Sequence, residues 1–360
     1  MVFNLFTFLI TILFICNGSG QLYYAINLKK RFPENHNLLN SIIVFILWIV
    51  AGVVYPFFYF RNTEHIRWFQ ALSMQIICIY APLLIFSILL YQYLIIKNNK
   101  DIKNQRNIEV FKQKMQELYN EKSNKRNYPL NTDIHRKSFH LIPVIVIIGL
   151  WFFAIHVWDN MWNADLFWGI NGQEYAIFLI LTVGYAGIII FAALDFVRLS
   201  YIFENKNIYH LMPKTVSNLL IKTLKPNEIY EFTKPVALVL SFVPIFFLPI
   251  SIFSAAALIS TLGDGAASIF GLRFGKKKFP KKSRKTLIGY FAGFLSSFIC
   301  SFVVFLIFEP LLILIKIFIL SLSGALTYLI IDISSPKIDD NILNPIFCAL
   351  VMSFFYYFII

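Results

Sequence analysis

Apolar runs about as long as a bilayer is thick recur along the whole chain. Of its 360 residues, 58% are hydrophobic and only 14% are charged, whereas soluble domains are roughly half apolar and a quarter charged. Crossing a bilayer as a helix takes about 20 residues, and the candidate spans are 2–26, 39–60, 71–96, 139–157, 174–194, 235–252, 253–272, 287–308, 311–332 and 344–360. The sequence therefore predicts an all-α, polytopic transmembrane helix bundle of about ten spans. The run 235–272 is divided because Pro244 and Pro249 interrupt it.

The net charge of +13 lies mainly in short segments between these runs. Such a distribution is what topology and anionic head groups require, so the charge does not predict a nucleic-acid partner. Residues 97–138, 195–234 and 271–286 are rich in Lys and Arg, and the positive-inside rule places all three in the cytoplasm. Residues 158–173 carry little positive charge and fall outside. We expect 97–138 to be partly helical and 195–234 to contain amphipathic helices along the membrane surface.

The densest group of chemically capable residues is the segment 262–290, LGDGAASIFGLRFGKKKFPKKSRKTLIGY. Asp264 ends an apolar stretch there, and a carboxylate in a membrane helix is costly enough to be a functional candidate by default. A carboxylate beside a phosphate site most naturally holds Mg²⁺. The small residues around Asp264 let a ligand or another backbone approach closely, and tight helix packing is an equally good interpretation of them. They include Gly263, Gly265, Ser268, Gly271 and Gly275.

A basic run follows Asp264 directly, with no acidic residue in it. Its members are Arg273, Lys276, Lys277, Lys278, Lys281, Lys282, Arg284 and Lys285. One interpretation is a topogenic loop that contacts anionic lipid, and the other is a clamp on a nucleoside triphosphate. Lys285, Thr286 and Gly289 are the best placed of the segment for the second role, because they supply a charge, a hydroxyl and room at the start of the next helix. The Walker A pattern is absent.

A second cluster, His135-Arg136-Lys137-Ser138-Phe139-His140, stands at the start of the fourth span. On a helix, Arg136, Lys137 and His140 share one face, since they are three or four residues apart. Two cations and an imidazole at an interface can bind phosphate or relay a proton. The alternative is a set of snorkelling side chains at the end of a cytoplasmic loop.

A third cluster consists of Asp332 and the run Asp339-Asp340-Asn341, followed by Pro345. Acidic residues between two apolar spans are not explained by topology, because acids influence it little. They are candidates for holding a metal ion or for accepting the proton of a substrate hydroxyl.

These clusters, in this order, resemble the motifs of the CTP-dependent lipid kinases of the dolichol kinase family. GDGAASIFGLRFGKKKFPKKSRKTLIG at 263–289 resembles the family's cytidine-nucleotide motif, RKSFHLI at 136–142 its Arg-Lys-x-x-His element, and KIDDNILNP at 337–345 its Asp-Asn…Pro element. FVRL at 196–199 and Glu228 fit more loosely. Ile288 stands where the family motif usually has Glu, and Asp332 stands where it usually has Glu before Asp-Asn.

The resemblance covers roughly residues 130–360, and it implies a division into N-terminal helices with a basic loop at 1–130 and a catalytic transmembrane domain at 131–360. The implied reaction transfers the γ-phosphate of CTP to dolichol, a polyisoprenoid alcohol, and gives dolichyl phosphate for protein glycosylation. The implied place is the endoplasmic reticulum membrane, with the active site facing the cytoplasm.

The resemblance also implies a role for each candidate site residue. Asp264 and Asp340 are expected to hold a divalent metal ion, Mg²⁺. Either His140 or Asp340 is expected to accept the alcohol proton. Arg136 and Lys137 are expected to offset charge in the transition state. The expected nucleotide-binding residues are Gly263, Asp264, Ser268, Gly271, Gly275, Lys285, Thr286, Gly289 and Asn341.

Other functions stay open at this point. A phytol, polyprenol or diacylglycerol kinase would use the same residues, and a phosphatidate cytidylyltransferase would use CTP but release pyrophosphate. A transporter or non-catalytic membrane scaffold would use the charges for topology alone, and Ile288 leaves room for that function.

Overall fold

A computed structural model of the chain describes residues 4–59, 63–123, 130–224, 226–280 and 285–359. Within these ranges the regular structure is helical, and the β pairing consists of one isolated bridge between Lys278 and Thr286. Nine helices there are long and apolar enough to span a membrane. The predicted all-α polytopic bundle is therefore confirmed, and the chain is a multi-pass membrane protein.

We number the apolar helices α1 to α10 in chain order. They are α1 Leu5–Arg31, α2 Leu38–Phe58, α3 Glu64–Asn98, α4 Asp133–Met161, α5 Gly172–Ile202, α6 Lys234–Ile245, α7 Ile250–Phe274, α8 Leu287–Phe308, α9 Leu314–Ser334 and α10 Asp340–Ile359. Shorter helices are Lys100–Gln105, Ile108–Ser123, Asp165–Trp168 and Lys214–Thr223, with 3₁₀ turns at Glu204–Lys206, Tyr209–Leu211 and Pro226–Tyr230.

The predicted pair of spans in 235–272 differs from the structure in its division. The first member, α6, has only 12 residues, and the second, α7, has 25. The chain turns at 246–249 because Pro244 lies in the last turn of α6 and Pro249 is the N-cap of α7. Proline lacks an amide hydrogen, so it is tolerated where a helix begins but weakens the turn that precedes it.

The described chain divides into two compact units. The first comprises residues 1–117 and 145–236, and the second comprises 118–144 and 237–360. The predicted domains, divided near residue 130 by expected function, stay a prediction.

In the first unit, α1 packs against α2, α3 and α5. The rings of Phe14 on α1 and Tyr185 on α5 lie 4.4 Å apart. The polar segments complete the unit, because Phe111 and Tyr209 from them are buried in one apolar cluster with Leu28 at the end of α1. The expected helices in 97–138 and 195–234 are present as Ile108–Ser123 and Lys214–Thr223.

A buried ion pair holds the segment after residue 228 to the end of α5. Arg198 donates to Asp195 at 3.1 Å and to the carbonyl oxygens of Ile229 and Glu231. The second carboxylate oxygen of Asp195 accepts from both the amide and the hydroxyl of Thr233, each at 2.7 Å. The side chains of the pair are only 1% and 2% exposed. The network therefore supplies the hydrogen bonds that water would otherwise provide to these two charged groups.

In the second unit, α8, α9 and α10 pack around α7. α7 is the most enclosed of the candidate spans: 67% of its apolar window is buried, against at most 44% for the other spans of the described chain. A five-residue π-helical segment, Ile259–Gly263, interrupts α7 just before Asp264. Such segments are frequently found at functional sites.

Replacing Arg198 by Met should destabilise the first unit, because the carboxylate of Asp195 would stay buried without its cation. The expected cost is about 3–5 kcal/mol, measured as a lower midpoint of thermal unfolding in detergent. As a control, Lys112→Met removes an ion pair to Glu109, whose side chain is 72% exposed, and should cost at most about 1 kcal/mol. Equal midpoints for the two variants would contradict this role of Arg198.

The His36 imidazole, 3% exposed, should make stability depend on pH. Its Nδ1–H donates to the carbonyl of Tyr230 at 2.9 Å, so Nε2 is the nitrogen that accepts from the Ser41 hydroxyl at 3.2 Å. Burial lowers the pKa of His36, and the Tyr230 hydrogen bond only partly opposes this while the charge of Lys29 adds to it.

A lowered pKa means that the folded protein favours neutral His36. The stabilisation is therefore present above the ordinary pKa of 6.5 and is lost as the pH falls through the lower folded pKa. The unfolding midpoint should drop between about pH 7 and pH 5, and His36→Gln should flatten the dependence over that interval. An unchanged pH profile in the variant would contradict the assignment.

Candidate functional site

The three clusters predicted from the sequence all belong to the second unit, and the structure brings them together. They lie at the start of α4, in the second half of α7 with the loop to α8, and at the turn between α9 and α10. Because α7 leads into α8 and α9 into α10 through short loops, these segments meet at one end of the unit. The Lys285 amine shows this directly, since it interacts electrostatically with Asp332, Asp340 and Asp264.

Asp264 lies immediately after the π-helical segment, where α7 resumes its α-helical geometry. Its carboxylate pairs with the amine of Lys137 from α4. The two side chains are only 14% and 10% exposed, so neither charge is well solvated. Gly265 lies beside the same lysine, and a Cβ atom there would be at ordinary van der Waals distance, 3.7 Å, from Cβ of Lys137.

A second ion pair lies beside the first within α4, and a hydroxyl of α7 bonds to it. Arg136 donates to Asp133 at 2.9 Å, and Ser268 donates to the other carboxylate oxygen of Asp133 at 2.5 Å. Asp133 is 1% exposed. His140 is buried one helical turn beyond Arg136 on the same face of α4. The face of α4 predicted from spacing is therefore the face turned towards α7.

Lys285, which was expected to bind phosphate, is bound to Asp332. Its Nζ donates to a carboxylate oxygen of Asp332 at 2.5 Å and to the carbonyl of the same residue at 3.0 Å. Burial alone would lower the pKa of the Lys285 amine. The charge of Asp332, the hydrogen bond to it, and the charges of Asp340 and Asp264 outweigh burial and raise the pKa. Lys285 therefore stays a full cation.

Thr286 and the nearby glycines join α7 to α8. Thr286 is the N-cap of α8, and its Oγ1 accepts from the amide of Gly289 at 3.2 Å. A Cβ atom at Gly271 would lie 3.2 Å from that Oγ1, and one at Gly289 would lie 2.8 Å from the carbonyl oxygen of Ala267. Gly275 likewise contacts Thr286, and Gly263 contacts Ser297. These glycines serve helix packing, and their predicted contact with nucleotide stays a prediction.

At the start of α10, the side chain of Asp339 caps the helix by accepting from the amide of Asn341 at 2.9 Å. The amide side chain of Asn341 donates to Asp339 at 2.7 Å and to Asp340 at 3.2 Å. Carboxylates at a helix N-terminus are favoured by the helix dipole. Capping therefore accounts for Asp339, whereas Asp340 extends the acidic charge towards Lys285.

The basic loop between α7 and α8 is paired at its base. Phe279 donates to the carbonyl of Lys285, and Leu287 donates to that of Lys277, each at 3.1 Å. Lys276, Lys277 and Lys278 are exposed. The predicted members Lys281, Lys282 and Arg284 lie outside the described residues.

Sequence reasoning missed Asp133 and gave Asp332 no partner. Asp133 was detectable, because it stands three residues before Arg136, a spacing that pairs opposite charges on a helix. The partner of Asp332 was not, since 47 residues separate it from Lys285.

Across the described ranges, no group of three or more His, Cys, Asp and Glu side chains is arranged to hold a metal ion. A Mg²⁺ ion that arrives with a nucleotide needs only one or two carboxylates, because phosphates and water supply the remaining ligands. The donor chemistry of Asp264 and Asp340 fits that requirement.

Comparison with protein-family models, with curated proteins and with solved structures finds no significant match to this chain.

The pairing of Lys137 with Asp264 can be tested by a double-mutant cycle. Lys137→Met should lower the free energy of unfolding by about 3 kcal/mol or more, because it leaves a buried carboxylate without its cation. Adding Asp264→Asn should recover about 1–3 kcal/mol of that loss. Additive effects of the two substitutions in detergent unfolding would show that the side chains do not interact.

Proposed function

We propose that the second unit is a CTP-dependent lipid kinase that phosphorylates the hydroxyl of a long-chain alcohol, with dolichol as the acceptor. The observation that carries this proposal is the convergence of the three sequence clusters: the Lys285 amine interacts with acids from α7, α9 and α10, and Lys137 of α4 pairs with the same Asp264.

The charge pattern supports a metal–triphosphate ligand rather than a simple anion. Lys137, Arg136 and Lys285 are each paired with a carboxylate, so a phosphate alone would leave buried carboxylates without partners. A nucleoside triphosphate with its metal supplies both signs of charge together. The phosphates can pair with the lysines while the metal ion binds the carboxylates. Each buried charge then keeps a partner of opposite sign.

Asp264 and Asp340 would hold the divalent metal, which when bound neutralises phosphate charge and orients the triphosphate. Lys285 and the exposed lysines of the basic loop would hold phosphate oxygens. Arg136 and Lys137 would stabilise the charge that develops on the transferred group.

In the transfer step, a lone pair of the alcohol oxygen forms a bond to the γ-phosphorus. The bond between that phosphorus and the β–γ bridging oxygen breaks, so CDP leaves with that electron pair. The alcohol proton passes to a base, for which His140 and Asp340 are the two candidates. The products are CDP and the lipid phosphate.

A lipid substrate and the cytidine base are supported by the sequence motifs at 136–142, 263–289 and 337–345, which resemble the dolichol kinase family. A membrane-embedded unit suits so long an acceptor, because the lipid chain stays in the bilayer and only its hydroxyl needs to reach the charged site. The family resemblance also underlies the proposed place, the endoplasmic reticulum membrane with the site towards the cytoplasm.

The direct test gives purified protein CTP labelled in the γ-phosphate, with dolichol, phytol and diacylglycerol offered separately. Label should pass to dolichol and be lost in Asp264→Asn. The matched control Asp101→Asn changes an exposed acid of the first unit and should retain wild-type activity.

Each alternative function has its own outcome in this assay. Label in another alcohol alone would reassign the acceptor, and equal use of ATP would contradict the cytidine assignment. A parallel reaction with CTP labelled in the α-phosphate and phosphatidate as the acceptor covers the cytidylyltransferase. Label in its lipid product, with none passing from the γ-phosphate to an alcohol, would indicate that enzyme. A scaffold or transporter would give no transfer to any of the lipids, and that result would contradict the kinase.

A further inference from the structure

Two buried polar atoms lie one helical turn further into the second unit than the carboxylates of the candidate site. The hydroxyl of Tyr328 on α9 and Oδ1 of Asn344 on α10 have no hydrogen-bond partner among the described residues. Tyr328 is 0% exposed and Asn344 is 2% exposed. Burying a polar atom without a partner costs about 1–3 kcal/mol, so each needs an explanation.

The register of α9 against α10 places the two residues level with each other. Cys348 donates to the carbonyl of Gly324 across the two antiparallel helices at 3.6 Å. Towards the candidate site, the next turn carries Tyr328 on α9 and Asn344 on α10. The turn after that carries Asp332 on α9 and Asp340 on α10. The electrostatic interaction between those two acids agrees with this register. Tyr328 and Asn344 thus lie about 6 Å below the acids, at 1.5 Å of rise per residue.

Tyr328 also points towards the residues around Asp264. A Cβ atom at Gly293 of α8 would lie 2.9 Å from the Tyr328 hydroxyl oxygen. The carbonyl of Gly293 is in turn 3.6 Å from the Cβ position of Gly263, which precedes Asp264. The hydroxyl interacts electrostatically with Asp264, Asp332 and Asp340. The hydroxyl therefore lies against α8, within electrostatic range of the three carboxylates of the candidate site.

Packing alone does not explain a tyrosine at this position. The glycine at 293 makes room for an aromatic ring, but phenylalanine would fill the same space without burying an unpartnered hydroxyl. The chain carries 39 Phe and 18 Tyr, so phenylalanine is the commoner aromatic residue here. A buried donor and a buried acceptor at the same level of two neighbouring helices match the hydrogen-bonding capacity of one alcohol group.

We propose that Tyr328 and Asn344 bind and orient the hydroxyl of the lipid acceptor. The Tyr328 hydroxyl donates to the acceptor oxygen, and Oδ1 of Asn344 accepts from the acceptor hydroxyl before that proton passes to the base. An alcohol at the end of a membrane-embedded chain reaches this pair from the apolar side, with the charged site one turn beyond it. Both are positioning residues, and neither removes the proton. That the bound alcohol is the phosphate acceptor rests on the proposed kinase function. The binding of an alcohol by these two residues does not depend on that function.

The test substitutes Tyr328→Phe, which removes one oxygen atom and keeps the ring. The KM for dolichol should rise about three- to tenfold, corresponding to one lost hydrogen bond of roughly 0.5–1.5 kcal/mol, while the KM for CTP stays within about twofold. The unfolding midpoint should stay equal or rise, because a buried unpartnered hydroxyl is removed. A tyrosine that serves packing alone predicts the same midpoint effect with no change in either KM.

The matched control is Tyr201→Phe, since Tyr201 of the first unit also has a buried hydroxyl without a hydrogen-bond partner in the described chain. It should leave both KM values unchanged. An unchanged KM for dolichol in Tyr328→Phe would overturn the proposal.

A binding measurement separates this proposal from the kinase. Purified protein is offered tritiated dolichol and, separately, the corresponding hydrocarbon that lacks the hydroxyl. Wild-type protein should prefer the alcohol, and Tyr328→Phe should lose about three- to tenfold of that preference. This result would stand even if no label moved from CTP, in which case the kinase fails and the alcohol site remains. Equal preference in wild type and variant would overturn the alcohol site.

Discussion

The arrangement of the second unit depends on the ion pair between Asp264 and Lys137. Asp264 belongs to α7, the most enclosed of the candidate spans, where an isolated carboxylate would be very costly. The chain meets this cost by bringing a cation from α4, a helix that enters the unit from a distant part of the sequence. Asp133, Arg136 and Ser268 extend the same contact along both helices. A rearrangement of α4 on α7 would therefore expose several buried polar groups at once.

Small residues make this charged interior compatible with a tightly packed bundle. Gly271 and Gly289 bring α7 and α8 close enough for Thr286 to lie between the two helices, and the Thr286 hydroxyl also ends the loop that carries Lys285. The glycines thus position the lysine indirectly. The first unit solves a similar problem differently, since Arg198 and Asp195 are compensated by backbone carbonyls and by Thr233. In that network both charged groups have partners at hydrogen-bond distance.

Length and hydropathy were sufficient to predict the bundle, because a span of about 20 apolar residues leaves few alternatives. Helical spacing was sufficient for the face of α4 that carries Arg136, Lys137 and His140. The turn at 246–249 was misplaced, since proline can either end a helix or begin one, and the sequence does not decide which of Pro244 and Pro249 does so.

The ion pairs between clusters could not be predicted from the spacing of residues in the sequence. Asp264 and Lys137 are 127 residues apart, and only the packing of the helices makes them neighbours. Lys285 and Asp332 are likewise distant in sequence and neighbours only through helix packing. Lys285 was expected to bind phosphate, and in the structure it pairs with the Asp332 carboxylate. From sequence alone, the glycines near Asp264 were equally consistent with helix packing and with ligand binding. The short distances at Gly271 and Gly289 show that these two serve the packing of α7 against α8.

We propose that the paired charges of the second unit form one site for a metal–nucleoside triphosphate. Isothermal titration of the purified, folded protein with CTP in the presence of Mg²⁺ tests it most directly. We expect saturable binding at one site per chain, weaker binding of ATP, and loss of binding when Mg²⁺ is removed. Absence of saturable CTP binding by protein that unfolds cooperatively would contradict it.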